Sequence, residues 1–324
     1  MENKVYLLAP NDEELKSIQD NAPENTDVVW VNSNQGIEEQ AKQLKNAIGL
    51  IAIPSDISVE LVANCSNLKL VQVISAGTNR IDVKSLGELG VMVANNGGGN
   101  APSVAEHTIA LMIGTYRKLH LQFQSVKDGH WMGDLRRQWS DQAHELTGKT
   151  VGIIGLGHIG RNVAKRLQGW DCDIIYHDTI NFEKKLEYEL KVTKVSLDQL
   201  LRTSDVITLH VPLDKNTVGM IGEKAFDLMK PEAILINACR GPVVDEIELI
   251  RALEERKLAA AGLDVLEEEP AFKNNPLLKM PNVLVTPHMA GYSVESHQRN
   301  RIFAVMNAAR ITEGEEPLAV VLPV

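Results

Sequence analysis

Residues 150–160 read Thr-Val-Gly-Ile-Ile-Gly-Leu-Gly-His-Ile-Gly. The apolar run Val151, Ile153 and Ile154 leads directly into Gly155-x-Gly157-x-x-Gly160. A helical pattern follows from Ile159 to Trp170, with Val163, Ala164 and Leu167 on one side. A second apolar run, Asp173-Ile174-Ile175-Tyr176-His177, then ends at Asp178. Strand, glycine turn, helix, strand and acid arrive in the order that a dinucleotide-binding βαβ unit requires. In that reading Gly155 permits the tight turn, Gly157 lets the backbone approach a pyrophosphate, and Gly160 lets helix and strand pack closely. The helix N-terminus offers unpaired N–H groups and a positive dipole end to phosphates. Asp178 lies 18 residues after Gly160, where a carboxylate can accept hydrogen bonds from a ribose 2′-hydroxyl. The competing reading is an ordinary turn with Asp178 as a helix cap, and the completeness of the context argues against it. The expected cofactor is NAD.

The 324 residues are enough for two domains, each with its own core. Hydrophobic content of 44% and charged content of 23% are those of a globular protein. A net charge of −10 argues against a nucleic-acid partner, which needs a basic face, and Arg136-Arg137 is too short a run to reverse that. No apolar stretch reaches the length of a membrane-spanning helix, and the N-terminus lacks a signal peptide's layout. Cys65, Cys172 and Cys239 are far apart and odd in number, so neither a disulfide framework nor a metal site is expected. A cytoplasmic compartment follows.

Upstream of the glycine motif, Lys4–Ala9, Asp27–Val31, Ile48–Ile53, Leu70–Ile74 and Val91–Ala94 read as short buried strands, separated by helix-compatible segments such as 11–20 and 36–45. Alternation of this kind implies a parallel sheet covered on both faces. After Asn95-Asn96-Gly97-Gly98-Gly99-Asn100 and Pro102, one long helix is predicted from Ser103 to about Lys127, with Ser103 and Glu106 spelling a capping box. Downstream, strands are predicted at Val206–His210, Ala233–Asn237, Ala260–Asp264 and Val283–Thr286. Helices are predicted at 223–229 and 245–256, and a last one runs from about Val294 to Glu313. That final helix suggests a chain that returns to its first domain. The expected fold is α/β, with two doubly wound parallel-sheet domains. A Rossmann-type dinucleotide domain (102–290) is inserted into a flavodoxin-like substrate domain (1–101 plus 291–324), with a catalytic cleft between them.

Three stretches carry chemistry, each where a strand runs out into a loop, which is where open α/β sheets bind ligands. In Asn237-Ala238-Cys239-Arg240-Gly241 the arginine fork matches a carboxylate, although a salt bridge to Asp245 would also explain it. In Glu267-Glu268-Glu269-Pro270 a solvated acidic loop competes with a functional carboxylate. In Thr286-Pro287-His288 a half-buried ring competes with an acid/base. Together they form a sufficient set, because hydride chemistry at a carbonyl needs a proton donor and a group that fixes the substrate.

The chain resembles the D-isomer-specific 2-hydroxyacid dehydrogenase family over almost its whole length. The resemblance rests on Ser75-Ala76-Gly77-Thr78-Asn79-Arg80-Ile81-Asp82, on Val104-Ala105-Glu106-His107-Thr108, and on Glu145-Leu146-x-Gly148-Lys149-Thr150. It continues through Asn237-x-x-Arg240-Gly241-x-x-Val244-Asp245-Glu246, Gly262-Leu263-Asp264-Val265, Glu269-Pro270 and Thr286-Pro287-His288. It implies that Arg240 binds the substrate carboxylate, that His288 is the acid/base and that Glu269 pairs with it. It also implies substrate contacts at Ser75, Ala76, Gly77, Arg240 and His288. Cofactor contacts are implied at Gly155, Gly157, His158, Ile159, Gly160, Asp178, Thr108, His210, Pro212, Cys239, Arg240, Asp264 and His288. The helix from Ser103 resembles the family's dimer-forming segment, so a homodimer is expected.

Some features depart from the family pattern. His158 stands where Arg or Lys is more usual, which weakens the phosphate contact expected there. Cys239 precedes the arginine where a small non-thiol residue is common; it is expected to serve in packing, with sensitivity to thiol reagents open. The chain stops at Val324 soon after the last helix, which argues against a feedback-regulated phosphoglycerate dehydrogenase. Substrate selection is expected from 50–56, 75–80 and 130–139, with Arg80, Trp131 and Arg136 as candidates, and a surface salt bridge or simple packing competes for each. The activity implied is interconversion of a small 2-keto acid and an (R)-2-hydroxy acid with NAD(H). The alternatives are a formate- or phosphite-type dehydrogenase on the same scaffold and, from another class, an NAD(H)-sensing dimeric co-regulator. The intact Arg240, Glu269 and His288 set argues against the co-regulator.

Overall fold

The structure, a computed structural model, describes residues 3–53, 56–131 and 140–322. It divides into two compact units, one of residues 1–100 with 292–324 and one of residues 101–291. Among the described residues no helix is long and apolar enough to cross a membrane.

The first unit holds a five-stranded sheet in the order β2-β1-β3-β4-β5. Its strands are β1 (Asn3–Ala9), β2 (Thr26–Asn32), β3 (Gly49–Ala52), β4 (Leu70–Val73) and β5 (Met92–Ala94), and every pairing is parallel. This is the flavodoxin-like arrangement. Alternation along β1 explains how both faces are covered. Val5, Leu7 and Ala9 pack with Ala304, Val305 and Ala308 of the last helix, Val294–Thr312. Tyr6 and Leu8 point the other way, toward Leu61, Val62 and Leu86 of the short helices Val59–Ala63 and Val83–Glu88. Each such fully buried aliphatic side chain contributes about 1.5–3 kcal/mol.

The second unit holds a seven-stranded sheet in the order β12-β11-β10-β9-β6-β7-β8. The strands are β6 (Thr150–Ile154), β7 (Asp173–His177), β8 (Thr193–Lys194), β9 (Val206–Leu209), β10 (Ile234–Asn237), β11 (Ala260–Leu263) and β12 (Val283–Val285). All pairings are parallel. Beginning at β6, this is the Rossmann order with a seventh strand. The order reverses between β6 and β9, and the loops leaving those two strands therefore diverge and open a crevice. Ile207, Leu209 and Leu235 bury one face, and Val151, Ile153, Ile234 and Ile236 the other.

The predicted single helix over 103–127 is two helices, Ala101–Tyr116 and Leu119–Lys127, broken where Lys118 adopts φ 52°. The capping box also fails. The helix already begins at Ala101, so Pro102 and Ser103 lie in its first turn, where the missing N–H of a proline costs nothing. The helices Lys184–Leu190 and Leu197–Thr203 and the two-residue β8 fill the gap between Asp178 and β9 that the pattern left unassigned.

Candidate functional site

The glycine turn leaves β6 with Gly155 at φ +93°, a conformation open to glycine, and a Cβ there would sit 2.5 Å from the His210 carbonyl oxygen. A Cβ on Gly160 would lie 2.1 Å from the Gly155 carbonyl oxygen, so helix and turn touch backbone to backbone. Gly157 differs. Nothing lies within 4 Å of where its Cβ would stand, so its bareness answers to no neighbour in the protein and suits a ligand pressed against the main chain. Gly157 and His158 are exposed at the start of the helix His158–Leu167, and Ile159 is half-buried in its first turn.

Asp178 reaches back to this turn. Its Oδ2 accepts from Leu156 N at 2.7 Å and its Oδ1 from Ile180 N at 2.8 Å. Lone pairs remain on both oxygens for ribose hydroxyls. Across the crevice His210 directly follows β9. Its Nε2 lies 3.0 Å from Thr208 Oγ1 and its Nδ1 is buried without a partner. Burial pushes this imidazole down to about 3, so the ring is neutral. These features together fit a dinucleotide. Pro212 is exposed just beyond His210. Thr108 is placed differently: it is fully buried and donates to Val104 O at 2.7 Å within its own helix.

The chemical residues stand farther along the same carboxyl edge. At the end of β10, Asn237 is buried and shapes the turn, donating to Arg240 O at 3.0 Å while its Oδ1 accepts from Cys239 N at 3.0 Å. Arg240 is half-buried, and its Nη1 donates to Cys239 O at 2.6 Å. Asp245, the rival partner for the arginine, caps the helix Glu246–Glu254 by accepting from Glu248 N. Cys239 is buried, and burial raises its thiol to about 11. It therefore packs as a protonated thiol. Gly241 packs against the loop after β11, with the Leu266 carbonyl oxygen 1.8 Å from where a Cβ would be. This seats the arginine turn against the loop that carries Glu269.

Glu269 is anchored and paired. Its Oε1 accepts from Leu266 N at 3.1 Å, and its Oε2 lies 2.6 Å from His288 Nδ1. A carboxylate only accepts, so the proton of that contact is on Nδ1 and the other ring nitrogen, Nε2, is the one left to exchange protons. The His288 and Glu269 side chains keep 46% and 34% of their exposure, so the pair is open to a ligand. His288 adopts φ 54°, a left-handed backbone that costs about 1–3 kcal/mol and needs support from its surroundings.

Asp264 supplies that support. It is 1% exposed, and its carboxylate accepts from Met289 N at 2.9 Å, Ala290 N at 2.8 Å and Thr286 Oγ1 at 2.6 Å. Burial pushes this carboxyl up, but the donors around it, His107 among them, prevail and hold it below the usual range. His107, Thr286 and Asn237 carry no role in the sequence reading, although all three fall inside the motifs on which the resemblance rests.

In the first unit, Ser75, Ala76 and Gly77 form the half-buried loop after β4. Their carbonyls are tied down by Asn96 N at 3.1 Å, by Asn95 Nδ2 at 3.1 Å and by Ser75 Oγ at 2.9 Å, respectively. Arg80 and Trp131 are exposed, and Arg136 lies outside the described residues. Among the described residues no group of three or more His, Cys, Asp or Glu could hold a metal ion.

A nucleotide cradle sharing one sheet edge with a histidine–carboxylate pair serves hydride transfer, so the class in view is a nicotinamide-dependent oxidoreductase. Residues 109–290 match the model of the D-isomer specific 2-hydroxyacid dehydrogenase, NAD binding domain. The chain is 38% identical over 90% of its length to a D-3-phosphoglycerate dehydrogenase of Archaeoglobus fulgidus, and the match spans 54% of that protein, about half its length. It is 35% identical over 88% of its length to a glyoxylate reductase of Thermofilum pendens, covering 84% of that protein. The structure matches the holo form of D-mandelate dehydrogenase from Rhodotorula graminis with a TM-score of 0.87 at 26% identity, covering 99% of this chain and 98% of that one. This chain belongs to the D-isomer-specific 2-hydroxyacid dehydrogenase family. That family is NAD-dependent and acts on small 2-hydroxy and 2-keto acids.

Proposed function

We propose that this protein reduces a small 2-keto acid to the (R)-2-hydroxy acid, or runs the reverse, with His288 as acid/base and Arg240 binding the substrate carboxylate. The observation that carries the reading is the 2.6 Å contact between His288 Nδ1 and Glu269 Oε2, on the sheet edge that also holds Arg240 and the glycine turn. NADH, when bound, supplies the hydride. The backbone of residues 155–160 and the helix start at His158 would hold its pyrophosphate, and Asp178 its ribose hydroxyls. His288 gives the proton on Nε2 to the carbonyl oxygen as negative charge develops there, and takes one back in the oxidative direction. Glu269 fixes the ring and stabilises the imidazolium. Arg240, with its two parallel donors, orients the substrate carboxylate, assisted by backbone N–H groups at Ala76 and Gly77.

A panel of 2-keto acids, led by glyoxylate and including phosphohydroxypyruvate and aromatic keto acids, tests the reading with NADH and NADPH. Turnover with NADH is expected, with at least about a hundredfold preference over NADPH because Asp178 repels a 2′-phosphate, equivalent to about 2.7 kcal/mol. Arg240→Lys keeps charge but loses the fork, so it should raise KM and lower kcat together. No turnover on any member, with tight NADH binding retained, would return the protein to the co-regulator reading.

A further inference from the structure

Three consecutive amides at the proton-transfer loop end on one residue. His288 N donates to the Asp264 carbonyl oxygen at 2.8 Å, Met289 N to its Oδ1 at 2.9 Å and Ala290 N to its Oδ2 at 2.8 Å. The carboxylate that holds them is supplied with donors from behind. Thr286 Oγ1 lies 2.6 Å from Asp264 Oδ1. His107 Nε2, on the helix Ala101–Tyr116, lies 2.9 Å from Thr286 Oγ1 and 3.4 Å from the same Oδ1. A threonine hydroxyl has one proton, and here it points at a carboxylate that can only accept. His107 must therefore be the donor to Thr286, which fixes a proton on its Nε2.

We infer that His107 and Thr286 are positioning residues: by completing the donor set around Asp264 they hold the left-handed backbone of His288 and so aim its ring. Neither residue needs to touch substrate. A buried carboxylate short of a donor re-forms its bonds by shifting, and the groups free to shift with it are the amides of 288–290. Small displacements of a proton donor reduce turnover while leaving binding intact. The inference rests on the reading of His288 as the acid/base, and the test separates the two.

Four variants, Thr286→Val, Thr286→Ser, His107→Leu and His107→Gln, are compared with His288→Ala by steady-state kinetics in both directions and by NADH fluorescence titration. Thr286→Val and His107→Leu are expected to lower kcat by about tenfold, with the NADH dissociation constant unchanged within about twofold. Thr286→Ser and His107→Gln, which each return a donor to the right place, should recover most of that loss. A merely structural role for the two side chains predicts no rescue by Ser or Gln. Failure of rescue, or wild-type kcat in the folded Val and Leu variants, overturns the inference. An inactive His288→Ala beside unaffected Val and Leu variants overturns the positioning role and leaves the acid/base reading standing. An active His288→Ala overturns that reading itself. The wild-type protein supplies a check independent of folding defects: long-range proton–nitrogen NMR of the imidazoles should show His107 carrying its proton on Nε2. A neutral ring protonated on Nδ1 contradicts the network.

Discussion

The contact between His288 and Glu269 makes a prediction about orientation. Keto-acid reduction needs a proton on His288 Nε2, and hydroxy-acid oxidation needs that nitrogen bare. Glu269→Gln roughly keeps the shape beside Nδ1 but removes the anion that accepts its proton, so the ring loses its fixed orientation and kcat should fall by about tenfold or more in both directions. Steady-state kinetics of the two proteins decide this, and an unchanged kcat would make Glu269 a solvated loop residue. His210 carries a titration that acts on stability instead. Its folded-state value of about 3 lies below the unfolded value of about 6.5. Its contribution to stability is therefore complete above about pH 6.5 and is lost progressively as pH falls toward the folded value. At pH 5 the loss is about 2 kcal/mol. Guanidinium unfolding of wild type and His210→Gln at pH 7 and pH 5 should show the wild type losing more stability between the two by about that amount. Equal losses would mean that the ring takes a proton within the folded protein.

At the scale of single elements, the glycines after β6 separate stability from binding. A Cβ on Gly160 meets the Gly155 carbonyl oxygen at 2.1 Å, whereas one on Gly157 meets nothing within 4 Å. Gly160→Ala should lower the thermal midpoint clearly, by several degrees. Gly157→Ala should melt like the wild type yet bind NADH more weakly by about tenfold or more. A calorimetric scan and a fluorescence titration on each variant read the two effects, and intact NADH affinity in Gly157→Ala would remove the pyrophosphate from that position. The elements also show where sequence reading works. β6, β10 and β11 were legible because apolar runs ending in glycine or a polar residue have few other solutions. The place of Asp178 against the glycine turn was legible because the motif fixes its distance from it. The break at Lys118 was not, since neither glycine nor proline marks it and a lysine carries the left-handed φ. β8 was not, because two residues show no periodicity. The candidate site stood out in the sequence where a single residue suggests a chemistry by itself, as at Arg240 and His288, whose roles are the ones proposed above. It was opaque where the function is shared, because nothing local to His107 says that its ring nitrogen will meet a threonine far along the chain.

For the molecule as a whole, the resemblance proposes a homodimer through the segment that begins near Ser103. The second helix of that segment, Leu119–Lys127, leaves Phe123 66% and Val126 52% exposed, and Trp131 just beyond is 77% exposed. Light scattering should give twice the mass of 35.7 kDa, and a Phe123→Glu, Val126→Glu double variant should give the single mass with its helical signal retained. A monomeric wild type would refute the assignment. The last helix has a different kind of consequence. Its Ala304, Val305 and Ala308 complete the face of the first sheet built by Val5, Leu7 and Ile51, yet they are made after the whole of residues 101–291. A nascent chain stalled with residue 291 just outside the ribosome should resist protease over 101–291 and be cut within the first hundred residues. The oldest part of the chain is thus the last to close, and throughout synthesis its apolar sheet face must be kept from other partners by something other than its own fold.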